Sequence, residues 1–524
     1  MNNASQSRNL LFLAASVAVL AACGAEEISS PGSGGNISIT NNTPAPPPPP
    51  PPPVSTLVTP AAGCPTIDDS AGLTDLGTIS GPTGTYRNCG LPSRITRSSK
   101  LTKIPGLLYS LPGRVDVGTD LGATGGSGVT LTIDPGVVIF GATGVSWLAV
   151  NRGNRISAVG TATQPIVFTS RDNVLGLVTD DSQGQWGGVV LLGRAPITDC
   201  TVAPNAPPGS ATCERQTEGA TDPAYYGGAT PTDNSGTMKY VQIRYSGYVL
   251  SGNSELQALT TGGVGSGTVL EFIQSHNSSD DGLEFFGGTH NLKRLVVTGA
   301  DDDGIDLDTG YRGLIQYAIA VQKTSGNADS MIELDSPNAL ENQTPRTWMR
   351  IANFTFVHRN PATGNGAAMR FRGGADVSMV NGVLVSPMTC LRLDGANMLT
   401  TDAAIDKVGP PVFKSVAMQC GATPFAGSSG LTAAQVDAAF NVAGNNNIST
   451  FTNTLTGGFI NGANETARTA TDPKTINAGF DTTTYIGAVK DATDTWFAGW
   501  SCNSVTADFG ATGSACTTLP RITP

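Results

Sequence analysis

The sequence predicts an all-β fold: a parallel β-helix solenoid with terminal caps and one short C-terminal helix. The first observation behind this is a ladder of look-alike segments. Asp281-Gly-Leu-Glu-Phe-Phe286 recurs 22 residues later as Asp303-Gly-Ile-Asp-Leu-Asp308. Weaker echoes follow at Ser330-Met-Ile-Glu-Leu-Asp335, Ala368-Met-Arg-Phe-Arg372 and Cys390-Leu-Arg-Leu-Asp394. The second is that each echo alternates apolar and polar residues, as a half-buried strand does. A repeat in the range of about 20–50 residues means stacked supersecondary units, and short strands in so small a unit fit one turn of a β-helix. The third is composition. Aromatic residues make up 6% of the chain and glycines number 65, which suits a turn-rich solenoid rather than helices.

Taken in order, the chain opens with a secretory signal over residues 1–22. Arg8 precedes an apolar run from Leu10 to Leu20 that is only 11 residues long, too short to span a bilayer. Small residues close it as Leu20-Ala-Ala-Cys23. This closure resembles the lipobox of bacterial lipoproteins. The resemblance implies lipidation of Cys23 and, with Gly24 next in place of aspartate, delivery to the outer membrane, facing either the periplasm or the cell surface. Several acyl chains at about 0.8 kcal/mol per buried CH₂ hold a protein to a membrane almost permanently. An ordinary signal peptide ending in cysteine is the competing reading.

Residues 23–60 read as a tether. Gly, Ser, Asn and Thr dominate, and eight consecutive prolines run from Pro46 to Pro53. Such a stretch lacks the apolar surface to fold. The prolines predict an extended left-handed helix of about 25 Å, at ~3.1 Å per residue. A proline-rich ligand for another domain is the alternative.

Residues 61–127 are expected to form an N-terminal cap, residues 128–420 the β-helix, and residues 421–524 a C-terminal cap. Strand signals are steady through the middle segment, among them Val129-Thr-Leu-Thr-Ile133, Trp186-Gly-Gly-Val-Val-Leu-Leu192 and Tyr240-Val-Gln-Ile-Arg244. The Pro- and Ala-rich Cys200–Cys213 region reads as a loop thrown out of the solenoid. Thr432-Ala-Ala-Gln435 resembles a capping box opening a helix from Leu431 to Phe440. The tail from Phe480 to Trp500 is expected to pack back on the body.

With Cys23 set aside, eight of the nine cysteines remain. They fall into four neighbouring couples: Cys64 and Cys89, Cys200 and Cys213, Cys390 and Cys420, Cys502 and Cys516. Spacing leaves 105 connectivities open. Sequential pairing is the expectation, since short loops close easily and each is worth up to ~3 kcal/mol. The chain holds only three histidines, His276, His290 and His358, none near a cysteine couple, which argues against zinc. A net charge of −11 without basic runs argues against nucleic acid.

At this point the segments Ile133-Asp-Pro-Gly-Val-Val-Ile139, Pro165-Ile-Val-Phe-Thr169, Trp186-Gly-Gly-Val-Val190, Asp281-Gly-Leu-Glu-Phe-Phe-Gly-Gly288 and Tyr485-Ile-Gly-Ala488 can be taken together. They resemble a family of bacterial secreted or lipid-anchored proteins described as right-handed parallel β-helices of pectate-lyase-like fold. The resemblance spans roughly residues 100–520 and implies the fold, with no specific chemistry.

Stacking the echoes in register puts Glu284, Asp306, Glu333, Arg370 and Arg392 in one outward column, and Asp308, Asp335, Arg372 and Asp394 in a neighbouring one. Coils stack about 4.8 Å apart, so successive like charges repel. Stacked acids of this kind want a cation, a shared proton or full exposure. Calcium is the candidate ion, with Asp281, Asp303, Glu284, Asp306 and Glu333 as ligands and the turn residues Asp280, Asp301 and Asp302 as further oxygens. Solvated acids beside Asp-Gly turns are the plain alternative.

Two functions are compatible with this pattern. One is a lipid-anchored envelope protein for adhesion, polysaccharide binding or envelope organisation, meeting a glycan or an outer-membrane receptor through the charged columns. The other is a calcium-dependent lyase or hydrolase of acidic polysaccharide. Asp303 and Asp306 would then be its acid and base, and Arg370 or Arg392 would grip a substrate carboxylate. Gly287-Gly-Thr-His290 and His358-Arg359 do not reproduce the histidine and arginine steps of polygalacturonase-like glycosidases. That departure favours the first reading.

Overall fold

A computed structural model describes residues 57–252, 254–336, 340–360 and 366–520. The signal segment, Cys23 and the proline run lie outside the described residues. Two long sheets dominate, one of 15 strands and one of 11. Each coil gives one strand to each sheet in alternation. Leu283–Phe286, Ile305–Asp308, Ile332–Leu334, Ala367–Phe371, Thr389–Asp394 and Phe425–Ser428 belong to the smaller sheet, called here the ladder sheet. Val269–His276, Asn291–Thr298, Leu314–Val321, Trp348–Val357, Asp376–Val385 and Val412–Gln419 belong to the larger. Apart from one N-terminal hairpin, pairing within both is parallel, so the chain is a parallel β-helix as its repeats predicted.

Parallel stacking also runs through residues 61–127. Thr74–Gly81 and Gly84–Gly90 form an antiparallel hairpin at the N-terminal end, and Gly84–Gly90 then pairs in parallel with Leu107–Leu111. One apolar core threads the whole solenoid, from Cys89 to Phe440. At its C-terminal end the helix Ala433–Phe440 covers the last coil. Thr432 and Gln435 make the reciprocal capping box that their spacing suggested. Val436 and Phe440 are buried beneath it, with the Phe440 ring against Phe413 and Phe425.

The four disulfides join the cysteine couples sequentially, as Cys64–Cys89, Cys200–Cys213, Cys390–Cys420 and Cys502–Cys516. Among the described residues no helix is long and apolar enough to cross a membrane.

A feature absent from the sequence reading is a column of left-handed backbone in the larger sheet. Tyr240, Phe272, Arg294, Tyr317, Asn353, Asn381 and Ser415 have φ between +53° and +64°. They occupy the same rung in successive strands, between paired residues on either side. A left-handed residue turns an extended strand sharply, so each long strand bends at this rung and the sheet wraps two sides of the coil.

The C-terminal tail fastens to the outside of these bends. Asn381 Nδ2 donates to the Thr471 carbonyl (2.8 Å), Asn353 Nδ2 to that of Tyr485 (3.0 Å), and Gln274 Nε2 to that of Cys502 (3.0 Å). Arg244 Nη1 donates to Cys516 (2.8 Å) and Thr518 (2.9 Å). The tail thus runs back along the solenoid from late coils to early ones, burying Phe459, Phe497, Trp500 and Phe509 against Val296, Ile319 and Val357. Arg244 is fully buried, and its guanidinium is answered by oxygens of Gln242 and the tail. Replacing it by methionine leaves the buried Gln242 Oε1 and the Thr518 carbonyl without this donor, at about 1–3 kcal/mol each, while the Cys516 carbonyl keeps a bond from Asn173 Nδ2 (3.2 Å). Arg244→Met is therefore expected to lower stability by about 3 kcal/mol and to expose the tail. Limited proteolysis followed by mass spectrometry should show new cuts between residues 500 and 520, and an unchanged digest would contradict this account.

Candidate functional site

The outer face of the ladder sheet gathers the charged residues of the echoes. Strand register sets Thr260 against Glu284, then Asp306, Glu333, Arg370 and Arg392 in one continuous column. Phe286 stands against Asp308 in the next column. Asp335 and Arg372 prolong that column by donating their backbone N–H groups to Leu307 and Leu334, and Asp394 pairs with Ser428 at its end.

The turns before these strands supply more acid. Asp281 Oδ1 accepts from the backbone N–H of Asp303 (2.9 Å), and Asp303 Oδ1 from that of Ser330 (2.6 Å). These two carboxylates therefore stitch one coil to the next. Asp280, Asp302 and Asp329 hold the position before them in each echo. Ten carboxylates thus occupy three successive coils: Asp280, Asp281, Glu284, Asp302, Asp303, Asp306, Asp308, Asp329, Glu333 and Asp335.

Among the described residues, cations pair with acids at the two ends of this array. At the C-terminal end Arg372 Nη2 lies 2.7 Å from Glu333 Oε1, an ion pair without hydrogen-bond alignment, and its Nε lies 3.1 Å from Asp335. Arg370 spans Glu333 (3.6 Å) and Asp394 (3.0 Å), while Arg392 holds Asp394 (2.7 Å). Burial pushes the Asp394 carboxyl up, but hydrogen bonds from Ser428, Arg392 and Arg370 outweigh it and hold the group below its usual range. At the N-terminal end Arg215 pairs with Asp199 (2.8 Å) and lies over the Phe286 ring.

Among the described residues no cation forms an ion pair with the centre, which Arg215 and Arg372 reach only at longer range. Carboxylate oxygens of Asp281, Glu284 and Asp306 lie within 4.8 Å of one another. Two ionised carboxylates at that separation repel by roughly 3 kcal/mol at an effective dielectric of about 20. Burial, then the charge of neighbouring acids, raises Asp281, Glu284, Asp303 and Asp306 well above the ordinary carboxylate range. The same causes push Asp280 and Asp308 to about 7 and Asp302 and Asp335 to about 6.

Beside the arginine end lies a groove of about 500 Å³, lined by Arg370, Arg372, Arg392, Asp394, Asn397 and Ser428 among others. An Arg guanidinium presents a planar fork that matches a carboxylate, so the groove suits an anionic ligand. The array is acidic at its middle and carries arginines at its ends, on one parallel sheet.

A family profile described as a pectate-lyase-like β-helix domain matches residues 109–501, well over half of the chain. The chain belongs to this pectate-lyase-like β-helix family. Neither the curated proteins nor the solved structures contain a match to it.

Each predicted residue of this β-helix domain can now be placed. Glu284, Asp306 and Asp281 come together in the central triplet. Asp303 faces a different triplet, with Asp302 and Asp329. Glu333 lies on the same column but is engaged by the two arginines. Asp303 and Asp306, set out above as an acid and base pair, differ in setting: Asp303 is 4% exposed and caps Ser330, whereas Asp306 is partly open.

Two participants were not foreseen. Asp329 was findable, since it occupies the echo position of Asp280 and Asp302. Arg215 was not, because it belongs to the inserted segment after Cys213, whose sequence has no periodicity to align.

Proposed function

We propose that the ladder face binds acidic polysaccharide, displayed from the outer membrane on a lipid-anchored proline stalk. The observation that carries this reading is the groove in which Arg370 and Arg392 stand on neighbouring rungs about 4.8 Å apart, with Arg372 two residues along the chain from Arg370, an arrangement that lets the guanidinium groups meet one polymer. Membership of the pectate-lyase-like β-helix family fits a polysaccharide-related role. Binding rather than cleavage is favoured because the buried Asp303 is committed to the backbone of the next coil. The face would serve adhesion or envelope organisation, by gripping a glycan or an acidic outer-membrane receptor.

The test is pull-down and calorimetry of the protein against polygalacturonate, alginate and neutral dextran. Wild type is expected to hold the two uronate polymers and ignore dextran. Arg372→Gln with Arg392→Gln should weaken uronate binding at least tenfold. Equal binding by the double variant would sink the proposal, and shortened polymer chains in the wild-type reaction would establish the lyase or hydrolase reading instead.

Anchoring has its own check. Cys23→Ser is expected to abolish incorporation of labelled palmitate and release the protein from the membrane fraction. Undiminished labelling would show that Cys23 is not the lipid site.

A further inference from the structure

We infer that Asp281, Glu284 and Asp306 hold one divalent cation of the calcium type, bridging two successive coils. Proximity of three acids would not suffice for this, since acids also gather at exposed surfaces. The deciding observation is Glu284. Its side chain is buried, with the residue 8% exposed, and it makes no hydrogen bond or ion pair with any described residue. Its carboxylate nevertheless points at Asp281 and Asp306. Asp306 Oδ1 beside it is likewise buried with no hydrogen-bond partner. Buried charges are ordinarily paired or coordinate metal, because an isolated one is costly.

The distribution of arginines sharpens the point. Glu333, one rung further on, receives Arg370 and Arg372, so the sheet answers its acids wherever an arginine can reach. The pairing stops one rung short of Asp306. Oxygen separations up to 4.8 Å fit the cation, since calcium–oxygen distances of about 2.3–2.6 Å place opposite ligands roughly 5 Å apart. An all-carboxylate set with no histidine or cysteine selects a hard ion. Calcium tolerates irregular coordination, whereas magnesium demands a near-ideal octahedron.

The neighbouring groups differ. Asp303 already accepts from Ser330, and Asp280 accepts from Gln257 (2.9 Å), so neither the Asp302–Asp303–Asp329 nor the Asp280–Asp281–Asp302 group carries the same argument. The inference does not rest on polysaccharide binding: the ion is held by the protein's own side chains and is measured without any glycan.

The experiment is calorimetric titration of the chelator-treated protein with calcium chloride at pH 7.5, repeated with magnesium chloride and paired with thermal melting. One calcium per chain and a rise in melting temperature are expected, with magnesium much weaker. Glu284→Gln should lower calcium affinity at least tenfold, while Asp302→Asn leaves it within about twofold. Absence of heat and of any melting shift in wild type at millimolar calcium would overturn the inference. Undiminished calcium binding by Glu284→Gln would overturn it equally. A Glu284→Gln protein that melts higher than wild type without calcium, in a wild type that binds none, would show that the triplet holds a shared proton instead.

Discussion

Without added calcium, the protein should become less stable as pH rises from 6.5 to 8, and its melting temperature should fall by on the order of 5 °C. The sign follows from proton counting. A group whose folded pKa is raised stabilises the fold at low pH and loses that contribution as pH climbs through the folded value. Asp280 and Asp308 are raised to about 7 by burial and by neighbouring charge, and Asp281, Glu284, Asp303 and Asp306 are raised well above the ordinary range. The folded protein therefore binds more protons than the unfolded chain across this window.

Histidines work in the other direction, mainly at lower pH. Burial depresses His276 to about 3 and His290 to about 4. The unfolded chain would hold those protons up to an ordinary value near 6.5. At pH 6.5 the unfolded histidines are still about half protonated, so they oppose the decline over the first part of the window, and by about pH 7.5 they are nearly neutral in both states and the carboxylates dominate. Lys407, depressed to about 8 by burial, opposes the trend only toward the top of the window. Differential scanning calorimetry in chelator at pH 6.5, 7.25 and 8 measures the slope, and a melting temperature that rises through this range would refute it. Calcium should flatten the slope, because an ion at Asp281, Glu284 and Asp306 removes the advantage of protonation. Its stabilising shift should thus be larger at pH 8 than at pH 6.

How far this chemistry was legible in the sequence depends on which feature is asked about. The columns were legible because the echoes keep the same alternation while their spacing varies. Insertions between strands lengthen the turns without changing which residues meet across the ladder, so Glu284, Asp306, Glu333, Arg370 and Arg392 align from pattern alone. What pattern cannot supply is the partner of each charge. Glu333 and Glu284 occupy equivalent positions, yet one receives two arginines and the other none, because Arg372 has no basic equivalent at Asp308 or Phe286. The bend in the larger sheet was hidden for a different reason. Its left-handed rungs carry Tyr, Phe, Arg, Asn and Ser, so no glycine marks them. The tail's reversed course was hidden as well, since it depends on amide side chains of Gln274, Asn353 and Asn381 that look like ordinary strand residues.

The Asp-Gly steps of the ladder lead to the second large effect: Gly304→Ala is expected to cost about 3 kcal/mol, at the upper end of what overpacking usually costs. Asp-Gly pairs were set out above as good turn formers, which would make the glycine a matter of backbone conformation. The structure gives another reason. Neither Gly282 nor Gly304 has positive φ; each is needed because the next coil passes too close. A Cβ on Gly304 would lie 2.6 Å from the Met331 carbonyl oxygen, and one on Gly282 would lie 2.5 Å from that of Gly304. The obstructing atoms are backbone and cannot swing aside as a side-chain tip would. Alanine must then wedge the Asp303 coil away from the Ser330 coil, straining the Asp303–Ser330 hydrogen bond and shifting Asp306 relative to Glu284. Gly304→Ala should consequently lose stability and calcium affinity together, whereas Glu284→Gln loses calcium affinity without a comparable fall in calcium-free stability. Denaturant unfolding in chelator, set beside calcium titration of both variants, separates the two. If Gly304→Ala unfolds at the wild-type midpoint, the close stacking of these coils cannot be what holds the carboxylates in place.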